Sequence, residues 1–340
     1  MSTTPISSTQ VVVASFPVGM VKQSDMTVVQ KSLAPLADGQ VLIKTEYLSL
    51  DPAIRYWLNP TDTYVAGAKL GEPVRCFAAG RIVESKHADY AVGEVVTGLL
   101  NSQTHVIYDV AKGMGLTRCN LSLGTLSQHL GVLGMPGMTA YFGLLERAQP
   151  VAGNTVFVSA ASGTVGTTVG QIAKLKGCRV IGSAGGTEKC RWLVEEMGFD
   201  AAFDYKSESA GVALKRLCPT GVDIYFDNVG GDMLDDVLLN LARGARVVLC
   251  GALSQYNEGG YAGPRNYMKL IMARATMNGI VVFDFIPQWP QATAQIAAWL
   301  KEGKLKATEH VELGIERFPN ALVALFRGAH TGKQLVQVAQ

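Results

Sequence analysis

The chain has 340 residues, more than one ordinary hydrophobic core holds, and its 48% hydrophobic content with 37 glycines describes a turn-rich α/β protein of two domains. A formal charge of +2 without a basic cluster excludes nucleic acid as an expected partner. The apolar stretches are too short for a membrane span, the first residues lack the basic-then-apolar order of a secretory leader, and the six cysteines are scattered, so a cytoplasmic enzyme with reduced thiols is expected.

In chain order, residues up to about 125 read as β-rich, with short runs such as Val41–Thr45 and Val95–Leu99 set between Gly, Pro, Asp and Asn. From about 155 the rhythm becomes alternating. Candidate strands fall at 156–160, 178–183, 201–204, 222–227, 244–250 and 277–283, and candidate helices at 164–176, 187–197, 207–217, 232–242 and 289–302. Such alternation predicts a parallel, doubly wound sheet, because parallel strands need crossover connections. Six strands suit two mononucleotide-binding halves. Beyond residue 305 a short strand, a helix around Pro319–Arg327 and a final run Gln334–Val338 are expected to return to the first domain. The predicted division is 1–125 with 306–340, and 126–305.

Within the alternating part, Thr155-Val-Phe-Val-Ser-Ala-Ala-Ser-Gly-Thr-Val-Gly166 carries the most chemical information. An apolar strand breaks into small residues, and Gly163 and Gly166 open an amphipathic helix in which Val165, Val169, Ile172 and Ala173 share a face. Small residues admit a close-lying pyrophosphate, and the free N–H groups of a helix start meet its charge. Ala161 stands where the first glycine of G-x-G-x-x-G is usual, so the βαβ context carries the reading; the plain alternative is an ordinary βα turn.

An NAD site usually places Asp or Glu roughly 20 residues past the glycines, on the ribose hydroxyl. Here the segment reads Ser183-Ala-Gly-Gly-Thr-Glu-Lys189, with no carboxylate at the strand end. Lys189 in the next helix offers a point charge to a 2′-phosphate, so NADPH is the expected cofactor. Taken alone, Lys189 reads more readily as a solvated surface lysine than as a phosphate ligand, and Glu188 opposes a phosphate unless it serves the helix dipole.

Further segments carry a family resemblance: Tyr47-Leu-Ser-Leu-Asp-Pro52, Leu133-Gly-Met-Pro-Gly-Met-Thr-Ala-Tyr141, Gly186-Thr-Glu-Lys-Cys-Arg191, Gly198-Phe-Asp-Ala-Ala-Phe-Asp-Tyr205, Tyr225-Phe-Asp-Asn-Val-Gly-Gly231 and Cys250-Gly-Ala-Leu-Ser-Gln-Tyr-Asn257. With the Ala160–Gly166 turn they cover most of the chain in order. The chain resembles the zinc-independent medium-chain dehydrogenases/reductases, and within them the prostaglandin, plant double-bond and curcumin reductases. The resemblance implies a GroES-like β-rich domain plus a Rossmann domain, a homodimer, and NADPH-dependent reduction of a C=C bond conjugated to a carbonyl. No metal is expected: Cys76 and Cys119 lack a close cysteine partner, and His87, His105 and His129 lack a Gly-His-Glu context.

By the family pattern, Ser162, Gly163, Thr164, Val165 and Gly166 face the pyrophosphate, and Lys189 and Tyr205 hold the 2′-phosphate and its ribose. Asn228, Met135 and Thr139 match cofactor-contacting positions. Cys250, Gly251, Leu253, Ser254 and Tyr256 follow the fifth strand near the nicotinamide, while Val281, Val282 and Phe283 match a strand that pairs with the carboxamide. Tyr256 is the candidate donor to the oxygen that gains charge after hydride transfer; the alternative is a loop tyrosine that only covers the cofactor. Read without the family, Tyr205 and Met135 suit core positions and Asn228 an Asx turn.

Three departures stand out. Ala53-Ile54 replaces the group's Tyr-Met, Leu100-Asn-Ser-Gln103 replaces Gly-Trp-Gln, and His330 replaces an Asn before Gly332-Lys333, leaving its cofactor contact open. The substrate pocket is therefore expected to differ from that of the prostaglandin reductases. A quinone or carbonyl reductase and a non-catalytic NADPH-binding protein are the competing readings.

Overall fold

Burial with a period of two marks the strands of the chain's first part: in His105–Asp109, Val106 and Tyr108 are buried while their neighbours are half exposed. The structure, a computed structural model, describes residues 6–62, 66–257 and 263–338. It divides into Met1–Leu130 with Glu309–Gln340, and Gly131–Thr308.

In the first unit β1 (Ser7–Val13) pairs antiparallel with β2 (Met26–Ser32). β3 (Gln40–Ser49) leads into the single-turn α1 (Ile54–Trp57), and β4 (Phe77–Ser85), β5 (Val95–Leu99), β6 (His105–Asp109) and β7 (Thr117–Arg118) follow.

The second unit opens with α2 (Met135–Phe142), which runs into a π-helical turn at Gly143–Ala148. Strand and helix then alternate: β8 (Thr155–Val158), α3 (Thr164–Leu175), β9 (Arg179–Ala184), α4 (Thr187–Glu195), β10 (Ala201–Asp204), α5 (Ala210–Leu217), β11 (Val222–Asp227), α6 (Gly231–Leu238) and β12 (Leu241–Leu249). α7 (Lys269–Ala273), β13 (Thr276–Gly279) and α8 (Trp289–Lys301) complete it. The strands form one parallel sheet in the order β10-β9-β8-β11-β12-β13, the doubly wound order of a Rossmann domain. Its central strands β8 and β11 are buried almost throughout because both faces are covered. Phe157 stacks on Tyr225 at 5.1 Å and on Phe203 at 5.6 Å between ring centroids, tying three strands together. In α3 the predicted face is buried at Val169, Ile172 and Ala173, with Lys176 exposed.

Two predicted elements differ. The helix expected at 232–242 ends at Leu238, because Asn240 turns the chain: its N–H reaches the Val237 carbonyl at 2.8 Å, and its carbonyl accepts from Val222 N at 2.8 Å. The strand expected at 277–283 stops at Gly279. Its neighbour β12 ends at Leu249, where Cys250 and Gly251 bend to donate to the Asp227 carbonyl. Only Ile280 N still finds the ladder, at 3.1 Å to Leu249 O. Without a partner strand, Val282–Gln288 closes into 3-10 turns.

The chain then returns to the first unit. β14 (Glu309–Leu313), α9 (Phe318–Phe326) and β15 (Lys333–Gln337) complete it, with β15 parallel to β14 and antiparallel to β3, Leu335 opposite Ser49. At that junction Lys333 Nζ lies 2.6 Å from Asp51 Oδ1, both side chains under 10% exposed. The ammonium also donates to the Leu50 carbonyl at 3.0 Å, and Ser49 Oγ donates to the other Asp51 oxygen. Among the described residues no helix is long and apolar enough to cross a membrane.

Candidate functional site

Because the six-stranded sheet is parallel, the segments that leave its carboxyl ends all emerge on one edge. After β8, Ala160 takes φ +48°, a left-handed conformation unusual for a residue with a Cβ, and Ala161 N donates to Ser183 O at 2.9 Å. The turn then delivers Ser162 and Gly163, with Gly163 the cap of α3 and Thr164 its first residue. A Cβ on Gly166 would stand 2.6 Å from the Ala161 Cα, so only glycine lets the helix sit this close to the strand end. Ser162 to Val165 are half exposed, and the first turn of α3 holds no acidic side chain. Its N–H groups lack intrahelical partners, as at any helix start. Such a start suits an anion.

After β9, Gly186 at φ +101° precedes α4. Lys189 is half buried, and its ammonium is held below the ordinary lysine range, first by burial and then by the charge of Lys206. Glu188 is exposed and pairs with Arg191. After β10, Tyr205 is 47% exposed and its N–H reaches Ala184 O at 3.2 Å.

The end of β9 carries no carboxylate, as expected, but the neighbouring strand brings one beside it. Asp204, at the end of β10, crosses to Gly186 N at 2.9 Å, also accepts from Lys206 N at 3.0 Å, and takes the Ser207 hydroxyl at 2.7 Å. These donors hold its carboxyl below the usual carboxylate range, the Gly186 bond contributing most. The acid comes from the neighbouring strand, not from the strand the sequence pattern inspects.

After β11, Asn228 is clamped to the end of β8: its Nδ2 donates to Ser159 O at 2.8 Å and its N–H to Ser159 Oγ at 2.9 Å. The preceding Asp227 is fully buried. One of its oxygens accepts from Tyr225 OH at 2.6 Å, Val229 N at 2.9 Å and Gly230 N at 2.8 Å. Burial nonetheless raises its carboxyl pKa. Asp227, Tyr225 and Ser159 were not singled out from the sequence, although Asp227 lies inside the motif that supplied Asn228.

After β12, Leu253 N reaches Asn228 O at 3.1 Å, and Ser254 binds Val229 O through its N–H at 3.1 Å and its hydroxyl at 2.7 Å. Tyr256 folds back over this loop. Its hydroxyl accepts from Ala252 N at 3.2 Å, and a Cβ on Gly251 would stand 2.7 Å from that oxygen. Burial and Asp227 push the Cys250 thiol up to about 12, so it stays protonated and unreactive.

Met135 and Thr139 lie one turn apart on the half-exposed face of α2, joined by a 2.8 Å bond from Thr139 Oγ1 to Met135 O, and α2 packs on α3. Val281, Val282 and Phe283 were expected on a strand and are not on one. Val281 is 53% exposed, Val282 is buried, and Phe283 stacks on Trp289 at 6.5 Å. His330 belongs to the first unit, half buried in the turn before β15. Among the described residues no group of three or more His, Cys, Asp or Glu side chains is placed to hold a metal ion. A helix start without acid, a half-buried ammonium and the Tyr205 phenol fit a phosphorylated dinucleotide.

Comparison with known proteins agrees in outline. Residues 9–117 match a family described as the N-terminal domain of oxidoreductase, and residues 164–298 one described as zinc-binding dehydrogenase. The chain is 40% identical over 340 residues to the 2-alkenal reductase (NADP(+)-dependent) of Nicotiana tabacum, covering 98% of each. It is 38% identical to the NADPH-dependent curcumin reductase of Escherichia coli, covering 96% of each. The crystal structure of CurA from Vibrio vulnificus in complex with NADPH superposes with a TM-score of 0.91 at 38% identity, covering 98% of this chain and 99% of that one.

Proposed function

The chain belongs to the zinc-independent, double-bond-reducing group of the medium-chain dehydrogenases/reductases, and on that premise we propose that it reduces the C=C bond of α,β-unsaturated aldehydes and ketones with NADPH. One observation carries the reading: a single sheet edge gathers the Ala160–Gly166 turn, Lys189, Tyr205, Asn228 and the Cys250–Tyr256 loop. NADPH, when bound, supplies a hydride to the β-carbon of the conjugated system.

The remaining work falls to side chains and backbone. The start of α3, from Ser162 to Gly166, takes the pyrophosphate, and Lys189 with Tyr205 takes the 2′-phosphate end. Asn228, clamped by Ser159, with Met135 and Thr139 on α2, lines the cofactor. As the β-carbon gains its hydride, negative charge moves to the carbonyl oxygen as an enolate. A donor aimed at that oxygen lowers the barrier because it binds the enolate more strongly than the neutral carbonyl. Tyr256 is assigned that role, and solvent returns a proton to the α-carbon. No nucleophile or strong base is needed, only two reactants held in contact.

A homodimer in the cytoplasm belongs to the same reading. β13 is one of the two edges of the sheet, and Tyr267, Met268, Ile271 and Met272, in and just before α7, are all more than half exposed. All six cysteines are free, four of them buried, as suits a reducing compartment.

Product analysis after mixing the protein with NADPH and 2-hexenal tests the activity. The saturated aldehyde is expected. An allylic alcohol would make the protein a carbonyl reductase, and tight NADPH binding without turnover of enals, enones or quinones would make it a binding protein.

A further inference from the structure

We propose that Lys206 is a second cation for the adenosine 2′-phosphate, one that offsets the Asp204 carboxylate the fold places at the same spot. The inference rests on the NADPH reading and assigns a selectivity role to two residues outside it.

Tyr205 N is tied to Ala184 O at 3.2 Å, which carries the 205–206 segment against the end of β9. A Cβ on Gly185 would stand 3.0 Å from Lys206 Cε and 3.1 Å from the Tyr205 hydroxyl, so both side chains lie over that glycine. The Lys206 stem thus folds back toward the nucleotide edge of the sheet, although the residue is exposed. Its charge acts on Lys189, whose ammonium it helps depress after burial.

Asp204 supplies the reason for two cations. Backbone N–H groups of Gly186 and Lys206 and the Ser207 hydroxyl hold its carboxylate in place, so it cannot swing away from an arriving phosphate. Lys189 and Asp204 alone sum to no net charge, and a phosphate near neutral pH carries close to two negative charges. Lys206 restores a positive balance beside the hydroxyl of Tyr205. Gly185 leaves the room in which the Lys206 stem and the Tyr205 ring lie together.

The test uses the full-length protein and calorimetric titration with 2′,5′-ADP and with 5′-AMP, which differ only in the 2′-phosphate. Lys206→Met keeps most of the stem and removes the charge. It is expected to weaken 2′,5′-ADP by about tenfold, the loss of one charge-assisted contact, and to leave 5′-AMP unchanged. The preference for NADPH over NADH should fall by a similar factor. Adding Asp204→Asn to Lys206→Met should recover part of the loss, because the opposing charge is gone while an acceptor for Gly186 N remains. If Lys206→Met binds 2′,5′-ADP like the parent while Lys189→Ala does not, the inference is overturned and the NADPH reading stands. If Lys189→Ala also binds it like the parent, the phosphate subsite itself is misplaced and both fall.

Discussion

Tyr256 shows how much a single side chain can be asked to do here. Its hydroxyl accepts from Ala252 N at 3.2 Å, which fixes the ring over the loop after β12 with the phenol as acceptor in that bond. Tyr256→Phe deletes the donor proposed for the enolate oxygen and keeps the ring. Turnover of 2-hexenal should drop by about tenfold or more, with little change in NADPH affinity. An unchanged kcat would restrict the residue to covering the loop. Lys189 carries a prediction of different sign. The ammonium is the form that binds phosphate, and its pKa lies below the ordinary 10.5. Its charge is therefore lost earlier than usual as pH rises. The kcat/KM for NADPH should decline on the alkaline side before the ordinary lysine range, and the kcat/KM for NADH should not; parallel profiles would remove the phosphate contact. Local spacing makes Lys189 legible, since it follows its glycines within one turn, whereas Asn228 is read through the family resemblance. Spacing cannot expose Asp204, whose bond to Gly186 joins two strands, or show that Ser159 clamps Asn228 across the sheet.

Elements were readable where burial imposes a period. β10 and β11 run over 201–204 and 222–227 as expected, because their short apolar stretches, Ala201–Phe203 and Ile224–Phe226, are set between glycine and aspartate residues. The apolar run Ile280-Val-Val-Phe283 looks the same in sequence, but a strand also needs a partner, and β12 has already ended. The Lys333–Asp51 pair is likewise invisible to spacing, since it joins residues from opposite ends of the chain. It yields a prediction about the β3–β15 junction. Asp51→Asn leaves a buried ammonium without its counter-charge and should cost about 3–5 kcal/mol in urea unfolding. Replacing both partners with apolar residues of similar volume should cost far less, and equal losses would show that the charges themselves are not what matters.

For the whole molecule, the alternation of strand and helix specifies the doubly wound sheet, while the resemblance supplies the activity. Subunit number depends on a surface that neither determines. If β13 and α7 form the contact between two chains, Ile271→Asp with Met272→Asp should shift the light-scattering mass from twice that of a chain to a single one. A double variant that keeps the parent mass would place the contact elsewhere. The threading of the chain has its own consequence during synthesis. Residues 131–308 are contiguous, so that unit folds without any segment from the last part of the chain. The other unit cannot: β3 emerges early, and its flank and the Asp51 carboxylate stay bare until residues 333–337 arrive. The nascent protein should therefore acquire its nucleotide-binding half first, and a truncation of only the last ten residues or so should cripple the half that was made first.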